Sequence, residues 1–338
     1  SLVVSHSFSR PLVSFSGLLI SPEYVHSHAM RSRKGRVWMN NTKTQPSNIV
    51  LAVDGSDHAF AAAQLLDDFI GKSRCQITII AVLDTPHTPR RQLLLDALDR
   101  SKEIISKPDR EISVGLLHGN PAACICDYAD SLKPDLIVLG AVGRRATLGI
   151  VLGGVAQQVI EYAHFPVLVA RPPYHGLSRV LVATDGSVYS RKALHFLGCL
   201  SLVSPAELHI VHVSRPYPSY ETHTGTRSWL FGNDVYLPPT PLEESDNWKE
   251  AMAIASEAII ADARREIQPC GIQPITQVLN GDAATEILGY AKRSDIDLIV
   301  IGSRGLSQVK GWLLGSVSRK LVHYSNRSVL VVKSDHNE

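Results

Sequence analysis

The chain carries the same glycine pattern twice, each time directly after a short run of aliphatic residues. Two glycines with two residues between them are followed, after nine intervening residues, by a third glycine and then by serine or a fourth glycine. The pattern is formed by Gly140, Gly143, Gly153 and Gly154 in the first copy, and by Gly302, Gly305, Gly315 and Ser316 in the second. A buried strand that ends in such glycines lets the backbone approach a ligand closely, and a helix that starts after them presents unpaired N–H groups. The pattern therefore predicts a phosphate-binding loop in each copy.

The repeat extends well beyond the glycines and indicates two related domains. Asp-Gly-Ser occurs at 54–56 and again at 185–187, an offset of 131 residues, and the same offset relates Val82 to Val213. From residue 281 onward the offset is 162. The second copy therefore contains one insertion of 31 residues between Val213 and residue 281.

Length and composition agree with two globular domains, which we assign to residues 47–173 (domain 1) and 177–335 (domain 2). The 338 residues suit two domains of ordinary size, and 44% of them are hydrophobic. A net charge of +2, without any nucleic-acid-binding motif, gives no reason to expect a nucleic-acid partner. The five cysteines are odd in number and lack Cys-x-x-Cys spacing, which argues against a disulfide framework or zinc site and favours a reducing cytoplasm. No apolar run reaches the roughly 18 residues that a membrane span requires.

Residues 1–46 differ from the rest of the chain and are expected to contribute nothing to either core. They contain nine serines, six basic residues and a single acid, Glu23. The open interpretations are an organelle transit segment, a short signal peptide around 12–20, and a leader that is either disordered or misassigned, with Met30 or Met39 as the true start.

The hydrophobic pattern of each domain alternates strands with helices. Domain 1 is predicted to have strands at about 48–53, 76–83, 111–117, 135–140 and 166–171, and helices near 57–70, 90–106, 121–132 and 154–163. Domain 2 repeats the strands at about 179–184, 207–213, 274–279, 297–302 and 328–333. Continuous aliphatic runs are typical of strands covered on both faces, and the helices between them form the right-handed crossovers of a parallel sheet. We therefore predict an α/β fold of two tandem, doubly wound open parallel sheets.

These features resemble the universal stress proteins, of which this chain looks like a tandem two-domain member over about 47–335. The family's nucleotide-binding glycine pattern is complete in domain 2. Thr184-Asp185, His212-Val213 and the Gly-Asp-Ala at 281–283 also match. The resemblance implies the adenine nucleotide alpha hydrolase-like strand order 3-2-1-4-5. It also implies pairing of the last strands, which gives an intramolecular pseudo-dimer and allows a homodimer.

The resemblance further implies that some members bind ATP or AMP and that others bind neither. Carried over to this sequence, Val213 offers backbone groups to adenine, Asp185 lies beside the ribose, and the glycines with Ser316 surround the phosphates. The predicted nucleotide-binding residues are Ala183, Thr184, Asp185, Val213, Gly302, Gly305, Gly315, Ser316 and Val317. Ligands of doubly wound sheets bind where the strand order reverses, and the residues after strands one and four are neighbours there. The expected ligand is ATP or AMP, with Mg²⁺ as a candidate companion ion.

A weaker site is predicted in domain 1, formed by Asp54, Val82, Gly140, Gly143, Gly153 and Gly154. Gly154 stands where domain 2 has a serine hydroxyl. Loss of a hydrogen bond to a charged group costs about 1.5 to 3 kcal/mol, or roughly ten- to a hundredfold in affinity. Arg144 and Arg145 lie in the same loop and are either compensating phosphate contacts or solvated charges.

Three function classes remain open on the sequence. The preferred one is an adenine-nucleotide-binding stress-response or regulatory protein without dedicated catalysis. A scaffold of the same fold that binds no nucleotide is the first alternative, because the glycines could simply end strands while Ser316 and Asp185 cap helices. A weak ATPase or autophosphorylating protein is the second, although the sequence has no P-loop and no kinase catalytic loop.

The insertion, at about 214–250, is rich in aromatic residues and contains five prolines. Its aromatic residues are Tyr217, Tyr220, Trp229, Phe231, Tyr236 and Trp248. Long loops without regular structure are often functional, so a lid over adenine or a surface for a protein partner is one interpretation. Packing of the loop on its own domain is the other. His118 and His212, beside strand ends, are expected to be packed or capping residues, because no second ligand has metal-site spacing.

Overall fold

The computed structural model describes residues 46–84, 88–144, 151–199, 206–214, 246–305 and 314–333. The first half consists of β1 (Asn48–Ala52), α1 (Asp57–Ile70), β2 (Cys75–Leu83), α2 (Thr88–Ile105), β3 (Arg110–His118), α3 (Pro121–Leu132), β4 (Leu136–Gly140), α4 (Gly154–Tyr162) and β5 (Val167–Ala170). The second half consists of β6 (Arg179–Ala183), α5 (Val188–Cys199), β7 (Glu207–Ser214), α6 (Asp246–Ile267), β8 (Ile275–Asn280), α7 (Ala283–Arg293), β9 (Leu298–Gly302), α8 (Ser316–Tyr324) and β10 (Ser328–Val332). A single 3₁₀ turn, Gln268–Cys270, follows α6. The predicted strands and helices are confirmed to within about two residues at each end.

Both halves have the predicted strand order, and their sheets join into one. The strands are ordered β3-β2-β1-β4-β5-β10-β9-β6-β7-β8, so each half runs 3-2-1-4-5 from its outer edge. The strands within each half pair in parallel, whereas β5 and β10 pair antiparallel. The implied pairing of the last strands is therefore confirmed, and it produces one ten-stranded sheet.

Aliphatic side chains on both faces of the strands build two cores, one on each side of the sheet. Successive residues of a strand point to opposite faces. In β1, Ile49 and Leu51 belong to the core covered by α1, α2, α5 and α6, whereas Val50 and Ala52 belong to the core covered by α3, α4, α7 and α8. Helices α4 and α8 therefore share one face of the sheet. Among the described helices, none is long and apolar enough to cross a membrane.

Two buried cations follow β5 and β10 and cross the interface between the halves. Arg171, directly after β5, donates to the carbonyl of Val322 in the last turn of α8 at 2.7 Å. Lys333, directly after β10, donates to the carbonyl of Ile160 in the last turn of α4 at 2.5 Å. Donors and acceptors occupy equivalent repeat positions, each pair 162 residues apart. A cation at a helix C-terminus satisfies an otherwise unpaired carbonyl and stabilises the helix dipole.

The titration of Lys333 should make stability depend on alkaline pH. Burial, with a smaller contribution from Arg304, lowers the pKa of Lys333 from 10.5 to about 8 against the opposing influence of Cys126 and Glu161. Between these values the unfolded chain binds more protons than the folded chain, so stability contributed by this residue rises with pH. Relative to Lys333→Met, the wild type should gain about 3 kcal/mol in free energy of unfolding between pH 8 and 10.5.

Urea denaturation at stepped pH measures this difference. Lys333→Gln should give the same trend as Lys333→Met, because neither side chain carries a titrating amine. Lys320→Met, which removes a half-exposed amine of α8, is the control and should show no such trend. If the difference in free energy of unfolding between the wild type and Lys333→Met stays constant from pH 7.5 to 10, the lowered pKa of Lys333 is contradicted.

Two predicted segments fall largely outside the described residues. The leader lies outside except for Pro46, and so do the aromatic residues of the insertion that precede Trp248. At the edges of the predicted loop, about 214–250, Ser214 is still paired in β7 and α6 begins at Asp246. Trp248 therefore lies on a helix.

Candidate functional site

Two equivalent sites form where the strand order of each half reverses. β1 lies between β2 and β4, and β6 lies between β7 and β9. Asp54 and Asp185 follow β1 and β6, while Gly143 and Gly305 follow β4 and β9. The structure brings each aspartate next to its glycine at the carboxyl edge of the sheet. This edge is where doubly wound sheets bind ligands.

One oxygen of each aspartate closes a turn, and the other faces the glycine. Oδ1 of Asp54 and Oδ1 of Asp185 each accept from the backbone N–H two residues further on, at 3.0 Å. A Cβ placed on Gly305 would lie 2.5 Å from Oδ2 of Asp185, and a Cβ on Gly143 would lie 2.7 Å from Oδ2 of Asp54. The second glycine of the pattern therefore holds space for a carboxylate.

The first glycine of each pattern is required by helix packing. A Cβ on Gly302 would lie 2.6 Å from the backbone carbon of Tyr189 in the first turn of α5. A Cβ on Gly140 would lie 2.6 Å from the backbone carbon of His58 in the first turn of α1. These two glycines let a helix approach the end of a strand, so they position the site without needing to touch a ligand.

The third glycine closes the loop and begins the next helix. The N–H of Gly315 donates to the carbonyl of Ser303 at 2.7 Å, and the N–H of Gly153 donates to the carbonyl of Ala141 at 2.8 Å. Both glycines are N-caps in extended conformation, and neither supplies a capping side chain. The N–H groups of the first helical turn, which have no acceptor within the helix, are therefore left to another partner.

This lack of a side-chain cap distinguishes α4 and α8 from four other described helices, α1, α3, α5 and α7. Side-chain oxygens accept first-turn N–H groups in α1, α3, α5 and α7, and the capping residues are Ser56, Asn120, Ser187 and Asp282. Capping of this kind is the usual way to satisfy a helix N-terminus. The uncapped starts of α4 and α8 are consequently suited to an anion.

Domain 2 has two hydroxyl groups at this helix start that domain 1 lacks. Ser316 is exposed at the first position of α8, whereas a Cβ on its counterpart Gly154 would meet nothing within 4 Å. Ser318 is buried and donates from Oγ to the carbonyl of Gly302 at 2.8 Å, but its counterpart in domain 1 is Ala156. Sequence reasoning missed Ser318, although the Ser-Val-Ser at the start of α8 was a visible signal.

The remaining predicted residues are more buried than the helix start. Ala183, Val213 and Val317 are half-buried and pack against the core beneath α7 and α8, and Val82 is buried at the end of β2. Thr184 is buried, and its hydroxyl donates to Ser190 Oγ at 3.1 Å while accepting from the Gly186 N–H. The Thr184 hydroxyl therefore holds the turn after β6.

Arg144 of the domain 1 loop binds the turn after β1, with its backbone N–H on Asp54 and its guanidinium on Gly55. The Arg144 N–H donates to Oδ2 of Asp54 at 2.9 Å, and its guanidinium donates to the Gly55 carbonyl at 3.0 Å. Arg145 lies outside the described residues. In domain 2 a different cation flanks the loop, because Arg304 lies 6.0 Å from the Tyr189 ring centre. The sequence prediction did not include Arg304.

The two histidines at strand ends differ in their surroundings. His212 is buried and donates from Nδ1 to the Thr184 carbonyl at 2.9 Å, which confirms it as a packed residue. His118 is exposed, so its side chain is not packed, and the capping alternative stays a prediction; its carbonyl accepts from the Cys124 thiol. Within the described residues no group of three or more His, Cys, Asp or Glu side chains could hold a metal ion.

The strand order defines a doubly wound α/β protein, and the aspartates and uncapped helix starts form two related candidate sites at the switch points of its sheet. The chain belongs to the universal stress protein family, whose model matches residues 46–171 and 176–333.

Some curated relatives match about half of this chain, and others match most of it. Universal stress protein YxiE of Bacillus subtilis is 38% identical over 156 residues, which cover 46% of this chain and 99% of that protein. Universal stress protein Slr1230 of Synechocystis is 24% identical over 274 residues, covering 79% of this chain and 83% of its own. A solved universal stress protein from Archaeoglobus fulgidus covers 84% of this chain and 97% of its own, with a TM-score of 0.58 and 21% identity, and so shares the fold.

Proposed function

We propose that the protein is a stress-response or regulatory protein that binds ATP or AMP, mainly in domain 2, and has no dedicated catalytic activity. The observation that carries this proposal is the uncapped start of α8. There, the N-cap Gly315 lies close to the backbone of Gly305, whose neighbour is the Asp185 carboxylate. Membership of the universal stress protein family supports an adenine nucleotide as the ligand.

The phosphates would be held at the start of α8. The N–H groups of Ser316 and Val317 and the positive end of the helix dipole favour an anion there. The exposed Ser316 hydroxyl adds a further donor. Ser318 keeps the helix start close to the end of β9 through its bond to the Gly302 carbonyl.

The sugar and base would lie toward β6 and β7. A carboxylate repels phosphate and accepts hydrogen bonds from hydroxyls, so Asp185 suits the ribose and excludes the phosphates from its vicinity. Val213 near the end of β7, together with Ala183, offers backbone groups and half-buried apolar surface to adenine. Mg²⁺, if it accompanies ATP, would be bound mainly by phosphate and water, since the described residues form no cluster of metal-binding side chains.

The domain 1 site would be weaker. Gly154 supplies no hydroxyl and Ala156 leaves the helix start without the bond that Ser318 makes in domain 2. Arg144 is already bound to Asp54 and Gly55. A missing hydrogen bond to phosphate corresponds to roughly tenfold weaker binding or more.

Isothermal calorimetry on the purified full chain tests this function. We expect one tight site per chain for ATP or AMP and a second site at least about tenfold weaker. Two equal sites would contradict the assignment to domain 2. No binding of either nucleotide would favour a scaffold of the same fold.

Gly154→Ser should strengthen the domain 1 site. The position is open, because a Cβ there meets nothing within 4 Å, so the serine hydroxyl can be added without strain. We expect affinity at the weaker site to rise about tenfold, the effect of one hydrogen bond to a charged group. Gly154→Ala is the control, since it adds the Cβ without the hydroxyl. An equal gain in both variants would show that the hydroxyl is not the cause.

The cellular setting and partners belong to the same proposal. The described cysteines Cys75, Cys124, Cys126 and Cys270 are free thiols, which supports a reducing compartment such as the cytoplasm. The aromatic insertion at about 214–250 is proposed as the surface for a protein partner, and association of two chains into a homodimer is compatible with the paired halves.

A further inference from the structure

Helices α4 and α8 each run from a glycine pattern to the interface between the halves. α4 begins at Gly154 and α8 at Ser316, and both are nine residues long. The carbonyls of Ile160 and Val322 belong to the last turns, where the helix no longer provides N–H donors. The groups that bind these carbonyls therefore fix helices whose other ends form the proposed phosphate sites.

The opposite half supplies these groups in both cases. Arg171 of domain 1 binds the carbonyl of Val322, and Lys333 of domain 2 binds the carbonyl of Ile160. Both cations are buried, with 7% and 9% of their surface exposed. Because the positions are equivalent in the repeat, the arrangement is reciprocal, and each domain positions the helix of the other.

Arg171 is also bound to the glycine loop of its own domain. Its Nη1 donates to the carbonyl of Val151, two residues before the N-cap Gly153 of α4. One guanidinium therefore connects the domain 1 loop with the end of α8. The Nε atom of Arg171 is buried and has no partner among the described residues. The orientation of the side chain thus depends on the two carbonyls, and a movement of either one displaces the other.

The chemistry of Arg171 fits a bridging role better than a purely stabilising one. A buried charge adds little to stability compared with a well-packed apolar side chain of similar volume. A planar guanidinium, however, holds two acceptors in fixed relative positions, which neither an apolar side chain nor a lysine achieves. Burial lowers the pKa of Arg171 to about 10, so the group remains charged at neutral pH.

We propose that Arg171 and Lys333 are positioning residues that couple the two ligand sites across the domain interface, with Arg171 as the principal link. The coupling rests on the proposed nucleotide sites. Phosphate at the start of α8 orders that helix, Arg171 transmits the change to Val151, and the domain 1 loop becomes more rigid. Because coupling between sites is reciprocal, loss of Arg171 also weakens binding in domain 2.

Hydrogen exchange of the nucleotide-free full chain tests the positioning role without a ligand. Arg171→Met should speed exchange in the last turn of α8, in the other domain, and Lys333→Met should do so in the last turn of α4. Arg110→Met is the control for loss of a buried guanidinium, because Arg110 binds the carbonyls of Ile105 and Gly71 and the Asp67 carboxylate, all within domain 1. Exchange in α4 and α8 that is unchanged in both interface variants would overturn the proposal.

Titration with ATP tests the coupling itself. In the wild type, one equivalent of ATP should slow exchange at 151–156 in domain 1. In Arg171→Met this distant protection should disappear and ATP affinity should fall about fivefold or more. Arg171→Lys keeps the charge but has its donors on a single nitrogen, which cannot hold both carbonyls as the guanidinium does, so the ATP affinity of this variant should lie between those of the wild type and Arg171→Met. If Arg171→Met binds ATP as tightly as the wild type and ATP still slows exchange at 151–156, Arg171 only maintains the fold. The coupling would then be refuted.

The two proposals fail in distinguishable ways. A wild type that binds no ATP refutes the nucleotide sites, whereas the exchange of nucleotide-free variants still decides the positioning role. If Arg171→Met does not fold, Arg171→Lys and Lys333→Gln replace the methionine variants in both measurements. Arg171→Lys should then speed hydrogen exchange in α8, and Lys333→Gln should speed it in α4. Exchange rates equal to those of the wild type in both variants would overturn the proposal.

Discussion

Gly305→Val is expected to abolish tight nucleotide binding. A Cβ alone would lie 2.5 Å from Oδ2 of Asp185, so the branched valine must displace the carboxylate, the loop or both. The displaced groups are those proposed to contact ribose and phosphate. We expect at least a hundredfold loss of affinity, about 2.7 kcal/mol, in calorimetry with ATP.

Gly143→Val is the matched control for this change. It introduces the same side chain at the equivalent position, where a Cβ would lie 2.7 Å from Oδ2 of Asp54. Both variants should therefore lose comparable stability, but Gly143→Val should leave the tight site within about threefold of the wild type. Loss of tight binding in Gly143→Val with retention in Gly305→Val would transfer the main site to domain 1.

The fold could be predicted because its signals are local and repeated. Aliphatic runs such as 136–139 and 298–301 mark strands buried on both faces, and the helical segments between them leave a parallel sheet as the consistent solution. The duplication adds a constraint, since each half must have the same strand order. Joining of the halves through β5 and β10 was implied only by the resemblance to the universal stress proteins, and the structure shows both strands buried throughout.

Details of the site were harder to predict from the sequence, because they depend on contacts between segments far apart in the chain. In the sequence, Arg171 and Lys333 are polar residues after a strand, and nothing local indicates that each binds a helix of the opposite half. Ser318 falls in a helix whose buried face only the packing defines. The packing role of Gly302 was likewise not visible in the sequence, because its neighbour Tyr189 is more than 100 residues away in the chain.

Gly302→Ala provides the sharpest test of that packing role. The added Cβ would lie 2.6 Å from the backbone carbon of Tyr189 and 2.7 Å from its carbonyl oxygen, and backbone atoms cannot turn aside as a side chain can. The first turn of α5 must therefore move away from β9, and we expect a loss of about 3 kcal/mol in free energy of unfolding. Gly154→Ala, where a Cβ meets nothing within 4 Å, should instead gain about 0.5 kcal/mol by restricting the unfolded chain. Urea denaturation of both variants measures these changes. If Gly302→Ala is as stable as Gly154→Ala, helix α5 can move at no cost, and Gly302 is retained for contact with a ligand.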